Sequence, residues 1–194
     1  MNQPLDMLKT RIRSFVSPSE TELENIMQYF QVRNFQKDDL LLRMGNHCDF
    51  WGFVADGLIR VYSFTDTGEE YTNWFLRENS FIVEFMSFFD RTPSLENMEA
   101  LEDTTLVCVD YPTLQQLYAR FPIFEKFARL QYEKAFSEMK TRILHRIHFD
   151  AETRYRYFME VQPELMRRVP LKFIASYLSV TDSTLSRIRR KILQ

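Results

Sequence analysis

Ile174-Ala175-Ser176-Tyr177-Leu178-Ser179-Val180-Thr181-Asp182-Ser183-Thr184-Leu185-Ser186-Arg187-Ile188 reads as two short helices about a tight turn. Pro170, just ahead of it, suits a first helical turn, where its missing N–H costs nothing. Leu171, Ile174 and Leu178 recur at i, i+3 and i+7, with the small Ala175 beside them. Ser179-Val180-Thr181 breaks that pattern, and Thr181 is a good N-cap for a second helix with apolar positions Leu185, Ile188 and Ile192. This spacing predicts a helix-turn-helix over 170–192. At about 100° per residue the three apolar positions fall within about 60° of one another and face inward. Ser183, Arg187 and Arg190 lie opposite, Ser186 beside them, and Thr184 and Lys191 on the flank.

A face of hydroxyls and arginines matches the chemistry of a DNA major groove, because arginine bonds guanine bidentately and hydroxyls reach base edges and phosphates. Thr181, Ser183, Thr184, Arg187, Arg190 and Lys191 are therefore the candidate DNA-binding residues. Arg187 is expected to read bases, while Arg189, Arg190 and Lys191 hold the phosphate backbone. The backbone amides at Thr181–Ser183 favour a phosphate. Ser179 stands where such turns often carry glycine; a left-handed backbone there costs about 1 kcal/mol. The plain alternative is an amphipathic helix pair whose arginines are merely solvated.

The charge distribution is uneven. Residues 166–194 hold seven cations and one anion, a net +6; the whole chain is at −2, which leaves −8 for residues 1–165. A basic tail on an acidic body points to a local polyanion contact and argues against a globally basic, non-specific binder. Cys48 and Cys108, 60 residues apart, give neither a disulfide framework nor a metal-binding spacing. The first 30 residues show no signal-peptide pattern, and no stretch approaches the ~18 apolar residues of a membrane span. A reducing cytoplasm, with no membrane contact, is the expected location.

Upstream, Ser19-Glu20-Thr21-Glu22 has the pattern of a capping box, followed by the helical stripe Leu23, Ile26, Met27 and Phe30. Short aliphatic and aromatic runs then occupy 40–43, 50–54, 58–64, 71–75, 81–85 and 105–109, with turn signals at Gly45, Asp56-Gly57 and Asp66-Thr67-Gly68. Strands at this spacing predict an antiparallel barrel or sandwich. Pro112 opens a short helix and Pro122 a long one, reaching to about 148. At roughly 25 residues, or about 38 Å, the latter is longer than a domain this size needs internally, and a homodimer partner is expected on its apolar face. A further helix over 151–160 precedes Pro163. The predicted class is α+β: an N-terminal antiparallel, jelly-roll-like β-roll, a long dimerisation helix and a C-terminal helix-turn-helix. Two domains are expected, 1–148 (including the helix at about 122–148) and 149–194.

With these parts in order, the chain resembles the Crp–Fnr superfamily of bacterial regulators along essentially its whole length. The glycines of the β-roll match in sequence: Gly45 after Arg43-Met44, Gly57 in Val54-Ala55-Asp56-Gly57-Leu58-Ile59-Arg60-Val61, and Gly68 in Asp66-Thr67-Gly68-Glu69. Ile174–Thr181 and Thr184-Leu185-Ser186-Arg187 fit the family's recognition unit, and the resemblance places Arg187 at a base-contacting position. Asp182 and Ser183 depart from the Arg–Glu pair of the cyclic-AMP receptor protein, and the family's β-wing is missing or very short. The resemblance implies a homodimeric, sequence-specific DNA-binding transcription regulator acting on double-stranded DNA, with RNA polymerase as a further partner.

In nucleotide-binding members a Gly-Glu pair and a later Arg-Ser pair form a phosphate cassette. The matching effector positions here are Glu84, Ser94 and Leu95, with Met139 and Lys140 on the long helix where the receptor has base-contacting hydroxyls. Val83 replaces the glycine, Ser94-Leu95 replaces Arg-Ser, and Glu96 adds a carboxylate. A pocket that has lost its cation and gained acid repels phosphate. Cyclic AMP is therefore not expected, no cofactor is assigned, and any effector is unidentified. An aromatic-lined apolar ligand pocket in the roll is a second option, an ordinary barrel core the plain one. His145 and His148, with Asp150 near, read as a solvated helix end rather than a metal site. No His-x-His pair, nucleophile–base set or phosphate-cradling loop points to an enzyme. The alternative function is a ligand- or protein-binding module of the same architecture whose C-terminal unit does not read DNA.

Overall fold

The computed structural model describes residues 3–192; residues 1, 2, 193 and 194, and with them the outer ends of the two expected domains, lie outside the described part. Helices α1 (Gln3–Arg13) and α2 (Glu20–Met27) lead into eight strands: β1 (Gln31–Phe35), β2 (Leu40–Leu42), β3 (Trp51–Asp56), β4 (Leu58–Phe64), β5 (Glu70–Arg77), β6 (Phe81–Ile82), β7 (Asn97–Ala100) and β8 (Thr104–Val109). A one-and-a-half-turn helix, α3 (Phe85–Phe89), interrupts them between β6 and β7. Helices α4 (Tyr111–Arg120), α5 (Pro122–His148), α6 (Ala151–Val161), α7 (Leu165–Arg168), α8 (Leu171–Tyr177) and α9 (Asp182–Ile192) follow. The α+β class and its order of parts are as the sequence predicts.

The strands form two four-stranded sheets, ordered β1-β8-β3-β6 and β2-β7-β4-β5. The pairs β1–β8, β3–β8, β3–β6 and β2–β7 are antiparallel. Two strands escaped the sequence reading, β1 and β7. A third expectation is corrected: the apolar run 81–85 is strand only through Ile82, because the Glu84 side chain accepts the Ser87 N–H and starts α3. The capping box at Ser19 forms as expected, with Ser19 and Glu22 satisfying each other's backbone amides.

The chain divides into two compact units. The first holds the residues up to Val61 and Phe75–Lys134; the second holds Tyr62–Trp74 and the residues from Ala135 onward. The first unit has an aromatic core. Trp51 stacks on Phe81 at 4.7 Å between ring centres, and Phe124 and Phe127 pack edge-on against this pair. Such offset and edge-to-face contacts add about 0.5–1.5 kcal/mol each beyond area burial. Both cysteines are buried within this unit; Cys48 receives order from a Ser87 hydroxyl 2.7 Å from its N–H, and its thiol meets the Phe50 carbonyl at 3.3 Å.

In the second unit Leu165, Val169, Ile174, Ala175, Leu178 and Leu185 are buried with Tyr155 and Phe158. Within it the tip of the β4–β5 hairpin joins the helices. The Ser176 hydroxyl donates to the Glu70 carbonyl at 2.9 Å and accepts the Thr72 N–H at 2.8 Å, so a side chain completes the hydrogen bonding of a strand edge. Arg142 donates to the Thr72 carbonyl at 3.0 Å, its guanidinium lying 5.0 Å from the Trp74 ring and 4.2 Å from that of Tyr177.

Candidate nucleic-acid interface and effector roll

The helix-turn-helix closes through main-chain bonds that its sequence allows. The Leu178 N–H bonds the Ile174 carbonyl, and the Val180 N–H reaches the Ala175 carbonyl at 3.0 Å across the turn. Between them Ser179 holds φ +56°, the left-handed geometry expected from its place in the motif. One residue that sequence reasoning missed secures the turn. Arg154, on α6, donates to the Leu178 carbonyl at 2.9 and 3.3 Å and to the Phe149 carbonyl at 2.6 Å. It satisfies carbonyls that two helix ends would otherwise leave open. No local pattern marks such a residue, because its partners lie up to 24 positions away.

Thr181 caps α9: its hydroxyl oxygen accepts the Thr184 N–H at 3.3 Å and the hydroxyl donates to Thr184 Oγ1 at 3.0 Å. Ser183 Oγ lies 3.0 Å from Thr181 Oγ1, and Arg187 donates to Thr184 Oγ1 at 3.2 Å. Thr181, Ser183, Thr184 and Arg187 thus form one hydrogen-bonded cluster along the first two turns of α9. Thr181, Ser183, Ser186, Arg187 and Arg190 are exposed, and Thr184 is half-buried. Asp182, also exposed, stands in the first turn, where the positive end of the helix dipole favours a carboxylate.

The cations on α9 are not equivalent. Lys191 is exposed but bonded to the Glu152 carboxylate at 2.6 Å, and that carboxylate also takes Arg156 at 2.9 Å. Lys191 and Arg156 together hold the Glu152 carboxyl below its ordinary range. Arg189, expected on the phosphate side, turns inward: it is half-buried and its Nε is sealed from solvent. The reason is angular, since Arg189 lies only about 40° from Leu185 around the helix at 100° per residue.

In the roll, the positions matching a phosphate cassette are occupied by structure. Glu84 is buried and spends its carboxylate on the Ser87 amide at 2.7 Å. The buried Ser94 hydroxyl donates to the Glu96 carbonyl at 2.9 Å and accepts the Glu96 N–H at 3.0 Å. Ser94 also exchanges backbone bonds with the 43–46 turn, its carbonyl accepting from Gly45 and its N–H donating to Asn46, each at 2.8 Å. Leu95 is 65% exposed. A buried guanidinium does exist on β4, at Arg60, but Glu99 sits 3.6 Å away and supplies its counter-charge. Met139 and Lys140 are exposed positions of α5 in the second unit. Among the described residues no cluster of three or more His, Cys, Asp or Glu could hold a metal ion, and no helix is long and apolar enough to cross a membrane.

Residues 32–121 match the model of the cyclic nucleotide-binding domain family. That stretch runs from β1 through β8 and α4. Around it, the whole chain has the fold of the Crp/Fnr regulators. The c-di-GMP-responsive global regulator CLP of Xanthomonas campestris superposes with a TM-score of 0.73 at 16% identity, covering 90% of this chain and 92% of its own. A transcriptional regulator of the Crp/Fnr family from Eubacterium rectale gives 0.71 at 15% identity, covering 91% and 84%. The catabolite activator protein of Thermus thermophilus gives 0.56 at 21% identity, covering 98% and 86%. No curated protein sequence matches the chain. At these identities the likeness is one of fold.

Proposed function

We propose that the protein is a homodimeric, sequence-specific DNA-binding regulator of transcription, with residues 149–194 as its DNA-binding domain and 1–148 as a roll and dimerisation helix. The observation that carries this reading is the face of α9. A capped helix N-terminus, four hydroxyls and two exposed arginines lie together on one side of a helix whose other side is packed. Arg187 is the base reader, and Ser183 and Thr184 flank it; Arg190 neutralises phosphate, and Lys191 contributes only if its ion pair with Glu152 opens.

The dimer is supported by α5. Its first turns bury Phe124, Phe127, Ala128 and Gln131, whereas Phe136, Met139, Ile143, Leu144 and Ile147 are exposed. Positions 136, 139, 143 and 147 recur every three to four residues, which is the seam spacing of paired helices. A two-fold pair of recognition helices would enter successive major grooves about 34 Å apart. The double-stranded DNA site is then an inverted repeat, and RNA polymerase is the partner beside which it would act, in the cytoplasm.

The roll is not a cyclic AMP site on this reading. Glu84 and Ser94 serve as local backbone partners, and the buried Arg60 on β4 is already paired with Glu99. Calorimetry with cyclic AMP is expected to give no saturable heat.

Selection from random duplexes tests the DNA reading. An enriched inverted repeat is expected, and Arg187→Ala should bind that repeat about 10- to 100-fold more weakly while flattening preference at one base position per half-site. If no repeat is enriched and Arg187→Ala binds duplexes as the wild type does, the C-terminal unit is a protein- or ligand-binding module instead.

A further inference from the structure

Behind α9, within the C-terminal unit, lies a cavity of about 300 Å³ lined by Tyr155, Met159, Pro163, Met166, Arg189 and Ile192. Five of these side chains present mainly carbon or sulfur surface, and Arg189 brings the single charge. Its Nε is buried and has no hydrogen-bond partner among the described residues. A guanidinium N–H removed from water and left unbonded is costly, of the order of 1–3 kcal/mol, so such groups are ordinarily satisfied. The Nε itself is sealed from the hollow; the rest of the Arg189 side chain lines it, among walls that are mainly apolar.

We propose that this cavity is a binding site for a small amphipathic carboxylate, its head group on Arg189 and its hydrocarbon chain between Met159, Met166 and Ile192. Three features define that class. The guanidinium edge takes two carboxylate oxygens side by side, in a geometry that a neutral hydroxyl cannot reproduce. Methionines accommodate flexible hydrocarbon because the thioether side chain is unbranched and polarisable. Beyond Arg189 the lining side chains bring only the Tyr155 hydroxyl as a polar group, so a nucleotide would leave most of its hydroxyls unsatisfied. The volume lies at the lower end of the range for small-molecule sites.

The location gives the site a use. Arg189 and Ile192 belong to α9 itself, and Tyr155 and Met159 to α6, so an occupant would touch the back of the helix whose front carries Arg187. The site is in the helical unit and is distinct from the roll, where an effector would first be sought.

Octanoate, titrated into the full chain carrying methyl-¹³C methionine, tests this without any DNA, so its failure is separate from failure of the DNA reading. The Met159 and Met166 methyl signals, assigned from Met159→Leu and Met166→Leu, should shift saturably, while those of Met44 and Met98 in the other unit stay put. Arg189→Gln should weaken binding at least tenfold, and octanol should bind the unaltered protein at least tenfold more weakly than octanoate. Met159→Trp, which fills the cavity, should abolish the Met166 shift. Absence of saturable shifts at these two methyls, or equal affinity for octanol and octanoate in the unaltered protein, overturns the proposal; the octanol comparison needs no variant to fold.

Discussion

A β-carbon at Gly57 would stand 2.4 Å from Thr104 Oγ1, 2.6 Å from the Asp103 carbonyl oxygen and 2.7 Å from Thr104 Cα, and the residue holds φ +99°. Two of those three atoms are backbone and cannot swing aside. Gly57→Ala should therefore destabilise the protein by about 3 kcal/mol or more, read as a fall in the urea midpoint. Gly68 makes the control: its φ is +82°, but nothing lies within 4 Å of its missing β-carbon. Gly68→Ala should cost only about 1 kcal/mol, the backbone share alone. Ser179 runs the comparison in reverse, for it pays that left-handed cost already at φ +56°. Its hydroxyl contact with Tyr71 is exposed and long at 3.1 Å. Ser179→Gly is expected to stabilise the C-terminal unit by about 0.5–1 kcal/mol in thermal unfolding. At this scale the sequence announced turns at all three positions, since glycine and serine punctuate apolar runs. It could not announce the clash at Gly57, because Asp103 and Thr104 are brought there by the fold.

Among the elements, α5 and the β4–β5 hairpin are the informative ones. If the exposed stripe Phe136–Met139–Ile143–Ile147 is a dimer seam, the pair Ile143→Asp and Ile147→Asp should convert the protein to a monomer in sedimentation equilibrium while leaving its far-ultraviolet dichroism nearly unchanged. Like charges set opposite each other across a helix pair oppose its closure. The hairpin tip is held by Ser176 and Arg142, and Ser176→Ala should speed amide exchange at Thr72 selectively. The elements differ in how plainly they were written. The long helix, α6 and both helices of the final motif follow from apolar residues at helical spacing. β1 does not, because Gln31–Phe35 is largely exposed and has little apolar signal to show. β7 is buried yet contains Asn97 and Glu99, whose side chains serve Met44 and Arg60 across the roll. α3 hides inside an apolar run, and only the Glu84–Ser87 cap tells it from strand. Arg154 and Arg189 show the same limit for the site: one clasps carbonyls far along the chain, the other turns inward, and neither fate is local.

The molecule as a whole carries a basic tail, +6 beyond residue 165, on an acidic body of −8. Salt should therefore weaken duplex binding steeply, with a log–log slope near −0.9 for each phosphate neutralised. Alkaline pH acts through the roll. Burial pushes the Cys108 thiol up to about 12 and raises that of Cys48 as well. A folded-state value above the unfolded one favours the neutral thiol. The roll's stability should hold below the ordinary thiol value of about 8.5 and decline as pH rises from there towards 12, as urea titrations at graded pH would record. The same burial turns two unreactive sulfurs into a stopwatch. An alkylating reagent can label Cys48 or Cys108 only during moments when the roll breathes open, because the native thiols are neither accessible nor ionised at neutral pH. The helical unit contains no cysteine at all. The rate of labelling thus times the opening of one half of the protein in the presence of the other, and adding a duplex or a carboxylate would reveal whether an event at the helices reaches the roll.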